Sequence, residues 1–270
     1  MDNPYIRLTQ EFNHGRLRAI LASGQAVVLY RLAIMSKDGD WILKEEAEAL
    51  THVVATLARH GARYRYGAPL DLRWLAHGWS SHLEFQEGGL RLRCDFVTRP
   101  PRVPPAALAE LWEAPVQKEA PVVSLPVLAE LKKTNREKDY AVIGELARKM
   151  EAPRLQALYS RSARDLMKLA KEHPAAVLDA VVERPLLARI GQGRDEVERL
   201  LDEERRSLIR RTRSVSIATS MRPRGGPRNG RMSRTRWPAD LWPKPMRSWS
   251  KGRPSTCRAS HERAPRRVLE

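Results

Sequence analysis

Cysteine is nearly absent from this chain: Cys94 and Cys257 are its only two, far apart and in no C-x-x-C pair. That argues against a disulfide scaffold and a thiolate zinc site, and makes a reducing compartment the expectation. Long apolar runs are missing too, since none approaches the roughly 18 residues of a membrane span. The first residues, MDNPYIRLTQEF, lack the basic-then-apolar order of a secretory signal. A cytoplasmic protein without a membrane partner is expected. The seven histidines show no H-E-x-x-H spacing, and no Walker A loop, dinucleotide G-x-G-x-x-G or G-x-S-x-G elbow occurs.

What is present in excess is positive charge, but it is unevenly placed. The formal net charge is +17, yet residues 211–270 hold 16 Lys and Arg against 3 acids, a net of +13. Residues 1–210 carry 33 against 29, a net of only +4. The total therefore gives the folded body no nucleic-acid signal; only the end of the chain carries one. That end is rich in Arg, Pro, Gly and Ser without a sustained period, which reads as a disordered basic tail over 208–270. A basic anchoring arm and a translated shift of reading frame both account for it.

The remaining pattern is mixed. Residues 7–22 read as a helical approach interrupted near Gly15, with Leu17, Ile20 and Leu21 on one face and Ser23-Gly24 as its stop. Ala26–Met35, apolar and β-branched, reads as a buried strand. A turn over 36–39, a short strand at Trp41–Leu43 and a helix from Glu45 to Gly61 follow. Ala62–Tyr66 alternates like an edge strand. His82–Phe85 and Leu90–Thr98 form a hairpin around Glu87-Gly88-Gly89. Later prolines give way to helical patterns, one opened by Pro126 and one by Asp139. The expected fold class is α+β: a small mixed sheet flanked by helices over 1–113, a helical region over 114–207, and the tail.

Two acids, Asp38 and Asp40, sit one residue apart and face the same way if extended. On the later hairpin strand Asp95 points away from Leu92, Cys94 and Phe96. Three carboxylates at one sheet edge are the usual protein share of a divalent-metal site for phosphate chemistry. Asp38, Asp40 and Asp95 are therefore the candidate magnesium ligands and catalytic acids, with Gly39 letting a phosphate approach the backbone. Asp-Gly is equally a common turn pair. Ser36 and Lys37 precede the acids and could touch phosphate. Lys132, Lys133, Arg136 and Lys138 form a basic cluster suited to a triphosphate, or a solvated helix start. His82 and Glu84, with His77 nearby, make a weaker metal candidate. Trp41, Trp74 and Trp79 read as packing groups.

The order S-K-D-G-D-W-I-L, a helix ending R-H-G-A-R-Y, the hairpin H-L-E-F…L-R-L-R-C-D-F-V, and L-K-K-T-N-R-E-K-D-Y resembles the small nucleotidyltransferase-like proteins of the minimal, toxin–antitoxin-associated type. The resemblance spans roughly residues 20 to 150. It implies magnesium at Asp38, Asp40 and Asp95, and nucleotide contacts from Lys132, Arg136 and Lys138 with Asp139 orienting them. In that family a Gly-Gly or Gly-Ser unit follows the first strand, and a helix precedes the acid pair. With Ala26–Met35 as strand, the matching place reads L-Y-R-L-A-I-M-S-K, without those glycines and too short for the helix. Three functions follow as expectations. The first is magnesium-dependent transfer of a nucleotide from a nucleoside triphosphate to a hydroxyl. The second is a catalytically inactive, antitoxin-like protein that binds a nucleotide or protein partner. The third is association with nucleic acid through the basic tail.

Overall fold

The computed structural model describes residues 3–113 and 120–221, with side chains through residue 212. The first helix, α1 (Pro4–Phe12), is capped by Asn3, whose side chain accepts from the Tyr5 amide. It ends where Asn13 turns the chain. Asn13 Oδ1 accepts from the amides of Arg18 and Ala19, at 2.7 and 2.9 Å. Gly15 completes the reversal at φ +79°. The expected helix over 7–22 is therefore two elements. Leu17, Ile20 and Leu21 are not a helical stripe, because Ala19–Ala22 is strand β1.

Ser23-Gly24 does not stop a helix but starts one, α2 (Ser23–Leu29). The run expected as a buried strand, Ala26–Met35, is the body of this helix and the loop after it. The run carries Arg31 and is buried only at Ala26 and Val27, with Ile34 and Met35 exposed; so short and mostly apolar a stretch has no period that separates strand from helix. Strand β2 (Asp38–Leu43), helix α3 (Ala47–Arg59), strand β3 (Arg63–Gly67), the single turn α4 (Leu72–Leu75), and strands β4 (Ser81–Glu87) and β5 (Leu90–Val97) follow. Gly88 and Gly89, at φ +55° and +78°, make the two-residue hairpin turn between β4 and β5.

These strands form a five-stranded mixed sheet in the order β1-β2-β5-β4-β3. The β2–β5 pair is parallel and the others antiparallel. One face packs on α1 and α3. There Trp41 stacks on Phe96 at 5.4 Å and meets the edge of Phe12 at 5.3 Å. Its indole nitrogen donates to Thr9 Oγ1 at 2.9 Å. The sealed ring cluster is the packing role expected of Trp41.

The second face is covered by α2 and by helices from beyond β5. α5 (Pro105–Glu113), α6 (Leu125–Leu131), α7 (Glu137–Arg148) and α8 (Pro153–Tyr159) follow the sheet. Ile20, Ile42, Leu111, Val123, Leu128, Ile143 and Leu146 share one buried cluster. Segment 121–123 also extends the sheet past β1, with Leu21 N–H donating to Pro121 O at 2.9 Å and Val123 N–H to Leu21 O at 3.0 Å. A third cluster joins α8 to α9 (Ala163–Glu172), α10 (Pro174–Ala180), the 3₁₀ turns of Pro185–Gln192 and α11 (Arg194–Met221). Helix α11 runs on past residue 207, through fourteen residues expected to belong to the tail. The rest of that expected tail, 222–270, lies outside the described residues. No helix among the described residues is long and apolar enough to cross a membrane.

Candidate functional site

The parity of β2 sends Asp38 and Asp40 to one side and Gly39 and Trp41 to the other. In the parallel β2–β5 register Asp40 lies opposite Asp95, and Asp38 opposite Arg93. The three acids thus share one face of two adjacent strands. The register extends the same level in both directions: Ala22 opposite Asp40, His82 opposite Asp95, and Tyr66 opposite His82. A single row, Ala22–Asp40–Asp95–His82–Tyr66, crosses the whole sheet.

Gly39 lies on the reverse face. A β-carbon there would stand 2.4 Å from the Trp41 ring and 2.5 Å from that of Tyr5. The expected role of this glycine beside a phosphate is corrected: it makes room for two buried rings.

The acids carry uneven environments. Asp40 is pushed up from 3.8 to about 6, first by burial and then by the charge of Asp95. Lys132 and a hydrogen bond from Ser23 work against that rise, and Asp38 adds to it. Asp38 leans to Arg93, Oδ1 to Nη1 at 3.4 Å. Asp95 Oδ1 stands 2.8 Å from His82 Nδ1. That contact is close but off line for a hydrogen bond, and both atoms are buried without an aligned partner. With Asp38 drawn to Arg93 and Asp95 to His82, no three His, Cys, Asp or Glu side chains among the described residues already stand as a metal-holding group.

Ser23 and Gly24, expected only as a helix stop, reach the site from the end of β1. Ser23 follows the row residue Ala22, holds φ +51°, and lies close enough to Asp40 for its hydroxyl to favour the carboxylate. A non-glycine residue in that region stores strain of ~1–3 kcal/mol. A β-carbon on Gly24 would stand 2.2 Å from Ser36 Oγ, so this glycine lets the loop before β2 lie against α2. That loop is tied down on both sides. Gln25 Nε2 donates to Ser36 O at 3.0 Å, and Tyr5 OH donates to Lys37 O at 2.8 Å. Ser36 spends its hydroxyl on the Asp38 carbonyl at 3.3 Å, and the Lys37 side chain is exposed.

Asp139 orients the basic cluster. Its buried carboxylate accepts from Thr134 Oγ1 at 2.6 Å and Arg136 Nε at 2.8 Å. Lys132 Nζ lies 3.6 Å from its other oxygen. Lys132 is itself buried, which pushes its ammonium downward against the pull of Asp139 and Asp40. The structure thus brings Lys132 into the field of Asp40. Among the described residues no ion pair joins Arg136 to the three acids. Lys133 turns away to Glu130 at 2.6 Å.

The weaker histidine candidate is not assembled as expected. Glu84 pairs with Arg65 and Arg91, at 3.0 and 2.8 Å. The His77 ring contacts the Arg73 carbonyl. His82 joins the acid row instead, and its Nε2 lies 2.8 Å from Ser80 Oγ. This was readable in advance: a two-residue Gly-Gly turn places Glu87 opposite Leu90, and counting back puts His82 opposite Asp95.

No protein-family model and no curated protein matches the chain. Among solved structures, the crystal structure of JHP933 from Helicobacter pylori is similar at 15% identity and a TM-score of 0.37, over 80% of this chain and 94% of that one. A likeness that loose carries no argument about fold or function.

Proposed function

We propose that this chain is a nucleotidyltransferase-like protein that moves a nucleotide from a nucleoside triphosphate to a hydroxyl with magnesium. The observation that supports it most is Asp38, Asp40 and Asp95 on one face of the adjacent parallel strands β2 and β5. The donor set is three hard carboxylate oxygens, which suits magnesium rather than a softer metal. Asp40 is raised to about 6 by burial and the charge of Asp95, and one buried Asp95 oxygen has no aligned partner; a cation between the strands would relieve both.

Asp38, Asp40 and Asp95 would hold the ion, with Asp38 exchanging its contact with Arg93. Bound there, magnesium would neutralise charge on the triphosphate. The Ser23 hydroxyl, close to Asp40, favours its ionised form. Lys132, set in place by Asp139, supplies a buried positive charge beside the acids. Arg136 is half-exposed and free to reach a phosphate on leaving Asp139.

The inactive reading drew its weight from a missing glycine unit and a missing helix. Ser23-Gly24 follows the first strand, and α2 lies between that strand and the acid pair. The departure is thereby reduced to the order of two small residues, which favours the active reading. The test is incubation with labelled nucleoside triphosphates and magnesium, repeated with Asp40→Ala. Turnover confined to the unaltered chain supports the proposal; equal turnover in both rejects it.

A further inference from the structure

We propose that Ser80 is a covalent acceptor, so that the protein nucleotidylates itself at this hydroxyl. The inference rests on the function proposed above and names an acceptor for it. Ser80, His82 and Asp95 form a chain of contacts on the acid face: Ser80 Oγ to His82 Nε2 at 2.8 Å, and His82 Nδ1 to Asp95 Oδ1 at 2.8 Å. Asp95 lies against the Nδ1 side of the ring without an aligned hydrogen bond, and Nε2 is the nitrogen that faces the serine hydroxyl.

The imidazole is held in place. Tyr66 stacks on it with ring centroids 4.2 Å apart. Gly67, at φ +87°, leaves the room: a β-carbon there would stand 2.8 Å from His82 Cδ2 and 2.5 Å from the Ser80 carbonyl oxygen. The Ser80 carbonyl is fixed in turn by the Ala68 amide at 2.9 Å. Ser80 is partly accessible, whereas its neighbour Ser81 is fully buried. The base therefore stands next to Asp95 in the row, with the hydroxyl on its far side. The same side chains in a hydrolase would need donors for an oxyanion. Here the adjoining groups are carboxylates, which suit a cation-bound phosphate instead.

In the step, Ser80 Oγ attacks the α-phosphorus of a nucleoside triphosphate and forms an O–P bond. The bond from that phosphorus to the oxygen bridging toward the β-phosphate breaks, and its electron pair leaves with pyrophosphate. The hydroxyl proton passes to His82 Nε2, and the resulting imidazolium faces Asp95.

The experiment incubates the full chain with magnesium and each of ATP, GTP, CTP and UTP, followed by intact mass, peptide mapping and pyrophosphate release. The expected result is one nucleoside monophosphate on the peptide holding Ser80. It is lost in Ser80→Ala, slowed at least tenfold in His82→Gln, and kept in Ser81→Ala. Pyrophosphate release or labelling of an added hydroxyl acceptor without a Ser80 adduct overturns the inference and leaves the proposed function standing. Neither turnover nor adduct overturns both. An adduct mapped to another residue, or persisting in Ser80→Ala, overturns the inference. Melting curves of each variant separate loss of the acceptor from loss of the fold.

Discussion

Asp40 and Asp95 stand opposite each other in register on the parallel β2–β5 pair, two carboxylates on one face of strands about 4.8 Å apart. Burial and the charge of Asp95 hold Asp40 up to about 6, against 3.8 ordinarily. Below pH 3.8 the group is protonated folded or unfolded, and nothing is lost. As the pH rises through about 6 the folded carboxyl must ionise against its surroundings, at a cost in native stability of ~3 kcal/mol when complete. Asp40→Asn removes that cost. The variant should be more stable than the parent by ~1–3 kcal/mol at pH 7.5 and equal to it near pH 4. Urea unfolding at the two pH values checks this.

Magnesium binding to the same row should oppose the repulsion. Added to the unaltered chain at pH 7.5, it should raise the melting temperature, by ~2.7 kcal/mol of stabilisation at a hundredfold excess over its dissociation constant. The effect should fade below about pH 6, where Asp40 takes up its proton, and be absent in Asp40→Asn. Thermal melts with and without magnesium across pH 5 to 8 measure it.

Gly39 is a packing residue despite its place between two acids. Gly39→Ala puts a methyl 2.4 to 2.5 Å from the Trp41 and Tyr5 rings. Overpacking of that kind costs ~1–3 kcal/mol. Denaturation should show the loss, while nucleotide affinity measured well below the melting temperature stays unchanged.

Glu204 holds two buried arginines. It accepts from Arg161 Nη1 at 2.9 Å and from Arg184 Nη2 and Nε at 2.8 and 2.9 Å. Burial works to raise this carboxyl, and the two guanidiniums override it and hold it below its usual range. Both guanidiniums are about 5% exposed. Glu204→Gln leaves them without a counter-charge and should cost ~3–5 kcal/mol. Chemical denaturation gives the value. Because α11 carries Glu204 while Arg161 and Arg184 flank α9 and α10, the loss should appear first in amide exchange of those helices.

The sequence by itself determined which residues share a face. Strand parity fixes Asp38 with Asp40 and separates Asp95 from Cys94, and the Gly88-Gly89 turn fixes the hairpin register. Those are local properties of an extended backbone. It also determined that the chain has only two cysteines and that positive charge is concentrated after residue 210. Tertiary structure decided the rest. Whether Ala26–Met35 became strand or helix was not legible, since a short apolar run satisfies either geometry, and the expected buried strand is instead a helix whose run-out, with Ile34 and Met35, is exposed. That outcome moved the first strand back to Ala19–Ala22 and brought Ser23-Gly24 beside Asp40. The parallel docking of β5 on β2 was also beyond the sequence, because 46 residues separate the two strands and nothing local specifies such a pairing. Only packing on both faces of the sheet set Asp95 opposite Asp40.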